Sequence, residues 1–257
     1  MKAVILCGGQ GTRIRDVADD IPKPMIRIGE RPILWHIMKT YAASSISEFV
    51  LCLGYRSWAI KEYFLNLRAQ VSDLSITPGG PLSYGDAPFP EADWRIHLAE
   101  TGLAAQTGAR LWRVRDRLAG DDLFCLTYGD GVADLDVARV VDFHRRHGKI
   151  ATLTGVRPPG RFGVLTTQGA QVTSFSEKPQ TGEGLINGGY FVFSSKVFDY
   201  LDAHEDLILE QEPLQRLAAD GQLMLFEHDG FWQPMDTYRE WRLLNALWES
   251  GEAPWRR

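Results

Sequence analysis

The opening of the chain, MKAVILCGGQGTR with PKP at positions 22–24, constrains the fold more than any other segment. An apolar run of strand type leads directly into three glycines, and two cations follow. Gly8, Gly9 and Gly11 lack a Cβ atom and can adopt positive φ, so the main chain can approach a ligand and point its N–H groups at it. Arg13 offers a planar fork for phosphate oxygens, and Lys23 offers a compact charge. The segment therefore predicts a buried strand that ends at a polyphosphate-binding loop.

Three phosphate-binding motifs compete for this segment. The dinucleotide fingerprint G-x-G-x-x-G is excluded because Ile14 stands where its third glycine is required. The pattern G-x-x-x-x-G-K-[ST] is excluded because the chain has no Gly-Lys-Ser or Gly-Lys-Thr. The third, G-G-x-G-T-R followed by P-K-P, fits. A simple glycine turn would explain the glycines but not Arg13 and Lys23 together. Pro24 also predicts extended backbone at Lys23.

The composition is that of an ordinary globular chain. With 257 residues, 44% hydrophobic and 24% charged, the sequence can form one large α/β domain. A net charge of −5 offers no basic face for nucleic acid, and no run approaches the ~20 apolar residues of a membrane span. Cys7, Cys52 and Cys125 lie in apolar runs, which predicts buried thiols rather than a catalytic cysteine. With no targeting segment visible, we expect a cytoplasmic protein without nucleic-acid or membrane partners.

Strand-type and helix-type patterns alternate along the chain, which predicts a mostly parallel sheet with helices on both faces. The segment 78–90, rich in glycine and proline, predicts an exposed excursion. After residue 161 the strand-like runs are shorter. Strands are predicted at 3–7, 48–53, 94–100, 123–127, 150–156, 162–166, 172–176, 189–193 and 223–227, and helices at 32–43, 57–66, 107–118, 136–146, 196–203, 211–220 and 237–249.

Two aspartates are candidate ligands of a hard cation. Asp130, between Gly129 and Gly131, follows an apolar strand at the edge where open α/β sheets bind ligands. Magnesium takes few carboxylates and keeps its other positions for water and phosphate. Asp130 could equally be a turn residue that bonds its own backbone, and Asp236 or Thr237 could cap the last helix. Spacing alone does not bring Asp236 near Asp130.

Polar side chains at strand ends form a second candidate group. Glu177 and Lys178 end one predicted strand, and Asn187 begins the next. Directional carboxylate, ammonium and amide groups suit sugar hydroxyls, although a solvated hairpin would show the same residues. Arg110 lies in the first turns of a predicted helix, where an anion is favoured, but it could also be a surface arginine.

Further motifs extend over nearly all of the chain. They run in the order GGxGTR, PKPM, PILWHIM, the segment 124–131, PPGRFG, EKP, INGG and DGFWQPMDT. The first resembles the signature loop of the sugar-phosphate nucleotidyltransferases, and PILWHIM, PPGRFG and DGFWQPMDT resemble more closely the glucose-1-phosphate cytidylyltransferase family within them. The resemblance implies a Rossmann-like α/β fold and a magnesium-dependent reaction in which CTP and glucose 1-phosphate give pyrophosphate and CDP-glucose, a precursor for surface polysaccharides. It also implies a homo-oligomer, with a hexamer as the expected form.

The resemblance implies roles for individual residues as well. Those implied to bind the nucleotide are Leu6, Cys7, Gly8, Gly9, Gln10, Gly11, Thr12, Arg13, Arg110 and Gly129. Those implied to be catalytic are Arg13 and Lys23. Those implied to hold Mg²⁺ are Asp130 and Asp236. Those implied to face the sugar are Glu177, Lys178 and Asn187.

The implied architecture is a single nucleotidyltransferase domain over residues 1–257. Residues 1–157 form its nucleotide-binding part, and residues 158–257 form a small sugar-binding and C-terminal part that contains β-strands. Two departures from the family pattern, Ala105 in place of a nucleotide-contacting hydroxyl and Cys7 in place of alanine, leave open a different sugar 1-phosphate or a different NTP. A catalytically silent sugar-nucleotide sensor on the same fold is a second alternative. Such a sensor would be expected to lose the key cations or aspartates, and this chain keeps them.

Overall fold

A computed structural model describes residues 1–9, 21–86, 88–158, 164–168, 171–176 and 184–257. The strands of this described part are β1 (Ala3–Leu6), β2 (Arg27–Ile28), β3 (Arg31–Pro32), β4 (Glu48–Leu53), β5 (Leu74–Ile76), β6 (Leu82–Tyr84), β7 (Arg95–Glu100), β8 (Leu123–Tyr128), β9 (Gly131–Ala133), β10 (Ala151–Val156), β11 (Val164–Gln168), β12 (Gln171–Ser176), β13 (Ile186–Ser194), β14 (Leu223–His228) and β15 (Trp232–Pro234). Its α-helices are α1 (Ile33–Ala42), α2 (Ser57–Leu65), α3 (Thr107–Arg113), α4 (Val137–His147), α5 (Glu212–Ala219) and α6 (Tyr238–Glu249). Short 3₁₀ helices cover Lys23–Met25, Arg115–Leu118 and Ser195–Tyr200.

Seven of the described strands form the main sheet, in the order β14-β10-β13-β8-β1-β4-β7. β1 pairs in parallel with β4 and β8, β4 pairs in parallel with β7, and β10 pairs in parallel with β14. β13 runs antiparallel to both of its neighbours, β10 and β8. The mostly parallel α/β sheet predicted from the sequence is therefore confirmed.

The side chains of β1 alternate between two hydrophobic cores. Ala3 and Ile5 pack into a core that also contains apolar residues of α1, α2, α4 and α6. Val4 and Leu6 face the opposite core, which contains apolar residues of α3 and α5. Because helices cover both faces of the sheet, all four side chains are buried, which explains the uninterrupted apolar run in the sequence.

Several local elements differ from the sequence prediction. The helix predicted at 107–118 is α3 followed by a separate 3₁₀ helix, and the helix predicted at 196–203 is a 3₁₀ helix. Within the described residues the antiparallel pairs β2–β3, β5–β6 and β9–β15 were not predicted. Strands of two or three residues are too short to give a period-two signal. The division of the chain at residues 157 and 158 stays a prediction.

In the part of the chain described above, no helix combines the length and the apolarity that crossing a membrane requires.

Candidate active site

A cavity of about 750 Å³ opens where β1 and β8 end, at the edge of the sheet where ligands bind in open α/β folds. Its lining residues are Leu6, Cys7, Gly8, Gly9, Lys23, Pro24, Ala105, Gln106, Thr107, Arg110, Tyr128, Gly129, Asp130, Glu210 and Asp236. Most of the predicted nucleotide, catalytic and metal residues are in this set. The predicted residues that lie outside the described residues are Gln10, Gly11, Thr12, Arg13, Glu177 and Lys178.

The guanidinium group of Arg110 lies so close to the backbone at position 8 that a residue without a side chain fits there best. A Cβ atom on residue 8 would lie 2.1 Å from the guanidinium carbon of Arg110. Gly8 is not among the glycines with positive φ, so close packing, and not left-handed backbone, requires glycine at this position. Gly129 is confined in the same way, since its Cβ atom would lie 2.9 Å from the carbonyl oxygen of Leu6.

The Arg110 guanidinium is buried and binds oxygen atoms of the protein. Its Nη1 donates to the Leu53 carbonyl at 2.9 Å, to Thr101 Oγ1 at 2.8 Å and to the Gly102 carbonyl at 2.9 Å, while Nη2 donates to the Gly8 carbonyl at 3.1 Å. Burial lowers the pKa of Arg110. The alternative of a surface arginine is therefore wrong, because Arg110 joins the loop after β1 to the segments after β4 and β7. A direct contact with the nucleotide stays a prediction.

Lys23, Asp130 and Asp236 form a charged cluster at the cavity. Lys23 Nζ lies 2.6 Å from Asp130 Oδ2 and also forms an ion pair with Asp236. The lysine side chain is 12% exposed, against 35% and 36% for the two aspartates. Burial, the largest single influence, lowers the pKa of Lys23, but the two carboxylates together raise it above its ordinary value. Lys23 opens a 3₁₀ helix, so the extended backbone predicted for it is wrong.

A short antiparallel pair of strands brings the two aspartates together. β9 begins directly after Asp130 and β15 ends two residues before Asp236, and Gly131 is the register partner of Pro234. The next residue, Thr237, caps α6, since its hydroxyl oxygen accepts from the backbone N–H of Glu240. Because Thr237 and not Asp236 caps α6, the Asp236 carboxylate is available to the cavity.

Some residues at the cavity were not predicted. Thr107, Tyr128 and Glu210 line it together, and both hydroxyl groups donate to the Glu210 carboxylate. The predicted sugar residue Asn187 donates from Nδ2 to the Tyr128 hydroxyl at 3.2 Å and is not itself part of the lining. Tyr128 could have been noticed because it precedes Gly129 and Asp130, but Glu210 belongs to no motif.

The cysteines are buried and unpaired, as predicted. Cys7 lines the cavity, yet burial raises the pKa of its thiol well above its ordinary value. Burial raises the pKa of Cys52 and of Cys125 to about 12. These thiols stay protonated at neutral pH, so none of them is activated as a nucleophile.

The donor atoms of the cluster fit a magnesium ion that also binds phosphate. Asp130 and Asp236 offer hard carboxylate oxygens close enough to share one ammonium group. No group of three or more His, Cys, Asp or Glu side chains that could hold a metal occurs within the described ranges. Magnesium is commonly bound by one or two carboxylates together with substrate phosphates, so two carboxylates suffice for that mode.

The helix-covered, mostly parallel sheet and the cavity at its carboxyl edge, which is lined in part by charged side chains, define an α/β enzyme of the nucleotide-binding class. A family model described as "Nucleotidyl transferase" matches residues 2–237. The chain belongs to this nucleotidyl transferase family, and the predicted family relationship is confirmed.

Individual relatives agree with this assignment. The chain is 49% identical over 256 residues to the glucose-1-phosphate cytidylyltransferase of Salmonella typhi, covering 100% of this chain and 99% of that protein. It is 30% identical over 246 residues to the mannose-1-phosphate guanylyltransferase catalytic subunit beta of Xenopus tropicalis, covering 92% of this chain and 62% of that protein. A solved structure of UDP-glucose pyrophosphorylase complexed with UDP-glucose matches with a TM-score of 0.69 at 12% identity, covering 97% of this chain and 98% of that one. At that identity the match shows the shared fold.

Proposed function

We propose that the protein transfers a cytidylyl group from CTP to glucose 1-phosphate, giving CDP-glucose and pyrophosphate. The full-length similarity to the cytidylyltransferase of Salmonella typhi supports this pair of substrates. The reaction chemistry is supported by one observation: Lys23, Asp130 and Asp236 come together in the cavity where β1 and β8 end.

The charge balance of this cluster argues for a cation-dependent reaction. One ammonium group faces two carboxylates, so the cluster as it stands is net negative. A negative cluster would repel a triphosphate, whereas a divalent cation held by Asp130 and Asp236 would reverse its sign. Magnesium, when bound there, supplies positive charge to the phosphate oxygens. The two carboxylates would then no longer neutralise Lys23, which could act on phosphate as well.

The proposed reaction is a single in-line displacement. A phosphate oxygen of glucose 1-phosphate forms a bond to the α-phosphorus of CTP, the bond from that phosphorus to the bridging oxygen breaks, and pyrophosphate leaves with the electron pair. The attacking phosphate has a second pKa of about 6 and is largely dianionic at neutral pH, so no general base is needed. The protein has to position two anions and neutralise charge, for which Lys23, the N–H groups of the loop and the predicted cation Arg13 are suited.

The proposal includes three further expectations, on location, assembly and the use of the product. Buried, unpaired cysteines suit the reducing cytoplasm, where we place the reaction. The family resemblance supports a homo-oligomer. It also supports a role of the product in surface polysaccharide synthesis.

A pyrophosphate-release assay tests the function directly. Purified protein is incubated with each of CTP, UTP, GTP, dTTP and ATP in combination with glucose or mannose 1-phosphate, with and without EDTA. The highest rate is expected for CTP with glucose 1-phosphate, and EDTA is expected to abolish it. A faster reaction with another pair would support the alternative substrates, and binding without pyrophosphate release would support the silent sensor.

A matched pair of variants tests the metal proposal. Asp130→Asn should raise the magnesium concentration needed for activity or abolish the reaction, because it removes a charged ligand. Asp116→Asn is the control, because Asp116 is 86% exposed and lies outside the cavity lining. Wild-type rates for Asp130→Asn at low magnesium would refute the metal assignment.

A further inference from the structure

Glu210 is an acidic residue in a cavity proposed to receive two phosphorylated substrates. It lies directly before Gln211, the N-cap residue of α5, and lines the cavity beside Thr107 and Tyr128. Among the described residues no Lys, Arg or His side chain forms an ion pair with it. A carboxylate that no cation of the described residues neutralises repels phosphate, so these residues suit an uncharged part of a substrate.

Directed hydrogen bonds fix the Glu210 carboxylate from one side. The Leu209 backbone N–H donates to Thr107 Oγ1 at 2.9 Å, so the proton of that hydroxyl is free to go to Glu210 Oε2, 2.6 Å away. This bond holds one oxygen of Glu210 against the first turn of α3.

A second chain of hydrogen bonds fixes the other carboxylate oxygen. The Gly189 N–H donates to Asn187 Oδ1 at 2.7 Å, which orients the amide so that Nδ2 donates to the Tyr128 hydroxyl at 3.2 Å. The Tyr128 hydroxyl in turn donates to Glu210 Oε1. Gly189 also permits the packing of the Tyr128 ring, because a Cβ atom there would lie 2.5 Å from Cδ2 of Tyr128.

Both series of hydrogen bonds end on the Glu210 carboxylate, which accepts a hydrogen bond from each hydroxyl group. An ionised carboxylate has about four lone-pair positions, and Thr107 and Tyr128 use two of them. Burial raises the pKa of Tyr128, and the charge of Glu210 raises it further, so the tyrosine keeps the proton that it donates. The remaining lone pairs are available to a hydrogen-bond donor in the cavity.

We infer that Glu210 is a specificity-determining residue that accepts a hydrogen bond from an uncharged O–H or N–H donor of one substrate, with Tyr128 and Thr107 as its positioning residues. The inference rests on the proposed function for the identity of the substrates. The shared chemistry is a neutral donor, carried either by a sugar hydroxyl of glucose 1-phosphate or by the nucleoside of CTP.

Steady-state kinetics of Glu210→Gln test this inference. The variant keeps the shape of the side chain but replaces the charged acceptor by an amide. Loss of a charge-assisted hydrogen bond should raise KM for the substrate that carries the donor by about ten- to a hundredfold. KM for the other substrate should change less than about twofold. Glu205→Gln is the matched control, because Glu205 lies on the same loop with a 55% exposed side chain paired with Arg113.

Substrate analogues identify the donor. Deoxy derivatives of glucose 1-phosphate, 2′-deoxy-CTP and 3′-deoxy-CTP each remove one hydroxyl donor. UTP replaces the 4-amino donor of CTP by a carbonyl oxygen and carries an N3–H donor instead. For the analogue that lacks the partner of Glu210, wild type and Glu210→Gln should have equal KM values. The inference is overturned if the ratio of KM values between variant and wild type is the same for every analogue, or if both KM values remain unchanged in Glu210→Gln.

Two further variants keep the test decisive if Glu210→Gln folds poorly. Tyr128→Phe and Thr107→Val should raise the same KM by a smaller factor, about three- to tenfold, because Glu210 loses one fixed bond. Thr107→Ser should restore the wild-type value, since it keeps the hydroxyl. The inference is refuted if Tyr128→Phe and Thr107→Val both keep the KM of the wild type. The wild-type substrate panel decides the proposed function separately, because it does not involve any variant.

Discussion

The backbone N–H of Met235 donates a 2.8 Å hydrogen bond to the carbonyl oxygen of Asp130. This bond extends the pairing of β9 with β15 up to the residue before Asp236. The two aspartates are therefore held at the same place by backbone bonds rather than by their own side chains. Lys23 then bridges their carboxylates from a third segment.

Removal of the Lys23 ammonium should greatly reduce activity. Lys23→Met leaves two carboxylates facing each other without a cation from the protein, and we expect kcat/KM for pyrophosphate release to fall by about 10²-fold or more. Lys196→Met, at an exposed position, serves as the control. A value of kcat/KM within a factor of two of wild type would contradict the catalytic role of Lys23.

Loss of the α6 cap should affect both stability and activity. Thr237→Ala removes the hydroxyl that accepts from the Glu240 N–H, and we expect a loss of about 1 kcal/mol in the free energy of unfolding measured in urea. Because Asp236 adjoins this cap, activity should fall at the same time. Thr237→Ser keeps the hydroxyl and should retain both properties. A drop in stability with full activity would show that the cap does not position Asp236.

The packing of Arg110 against Gly8 predicts strong effects of small changes. Arg110→Lys removes the fork that reaches several carbonyl oxygens at once, and we expect a cost of about 3 kcal/mol in unfolding free energy. Gly8→Ala should destabilise as well, since its Cβ atom would meet the guanidinium group. Arg216→Lys is the control, because Arg216 is about half exposed and pairs with Glu212. Urea unfolding curves that coincide for Arg110→Lys and wild type would refute this role.

Acid should destabilise the fold through two buried histidines. Burial lowers the pKa of His36 and of His144 to about 4 in the folded protein, against an ordinary value of about 6.5 in the unfolded chain. The unfolded chain therefore binds more protons as the pH falls below about 6.5, and stability is lost down to about pH 4. At pH 5 the loss is about 2 kcal/mol for each histidine.

Urea unfolding at pH 7 and pH 5 measures this loss. His144→Gln should remove about half of the difference between the two pH values, whereas His204→Gln, at an exposed position, should leave it unchanged. The interpretation fails if His144→Gln and wild type lose the same stability between the two pH values.

Long, buried elements were predictable from the sequence, and short ones were not. The strand at Glu48–Leu53 was predicted with the bounds that the structure has, because an apolar run in a parallel sheet is continuous. β9 and β15 are three residues each and carry no periodic signal, yet they bring Asp130 and Asp236 together.

The candidate site was predictable where the residues belong to a motif. Lys23 and Asp130 were identified from their own sequence contexts, and the family resemblance paired Asp236 with Asp130. The structure places all three together. Glu210 was missed because its position depends on tertiary hydrogen bonds from Tyr128 and Thr107, which leave no pattern in the sequence. The sequence also left undecided whether Arg110 is buried, because its hydrogen-bond partners lie in distant segments.

The cluster at the cavity joins Lys23 to a residue 213 positions further along the chain. A ribosome therefore completes the glycine loop and Asp130 long before it adds Asp236. Until the segment that follows β15 has been synthesised, the nascent polypeptide contains only one of the two acidic groups. The growing chain thus lacks the complete cluster of Lys23, Asp130 and Asp236 until a late stage of translation.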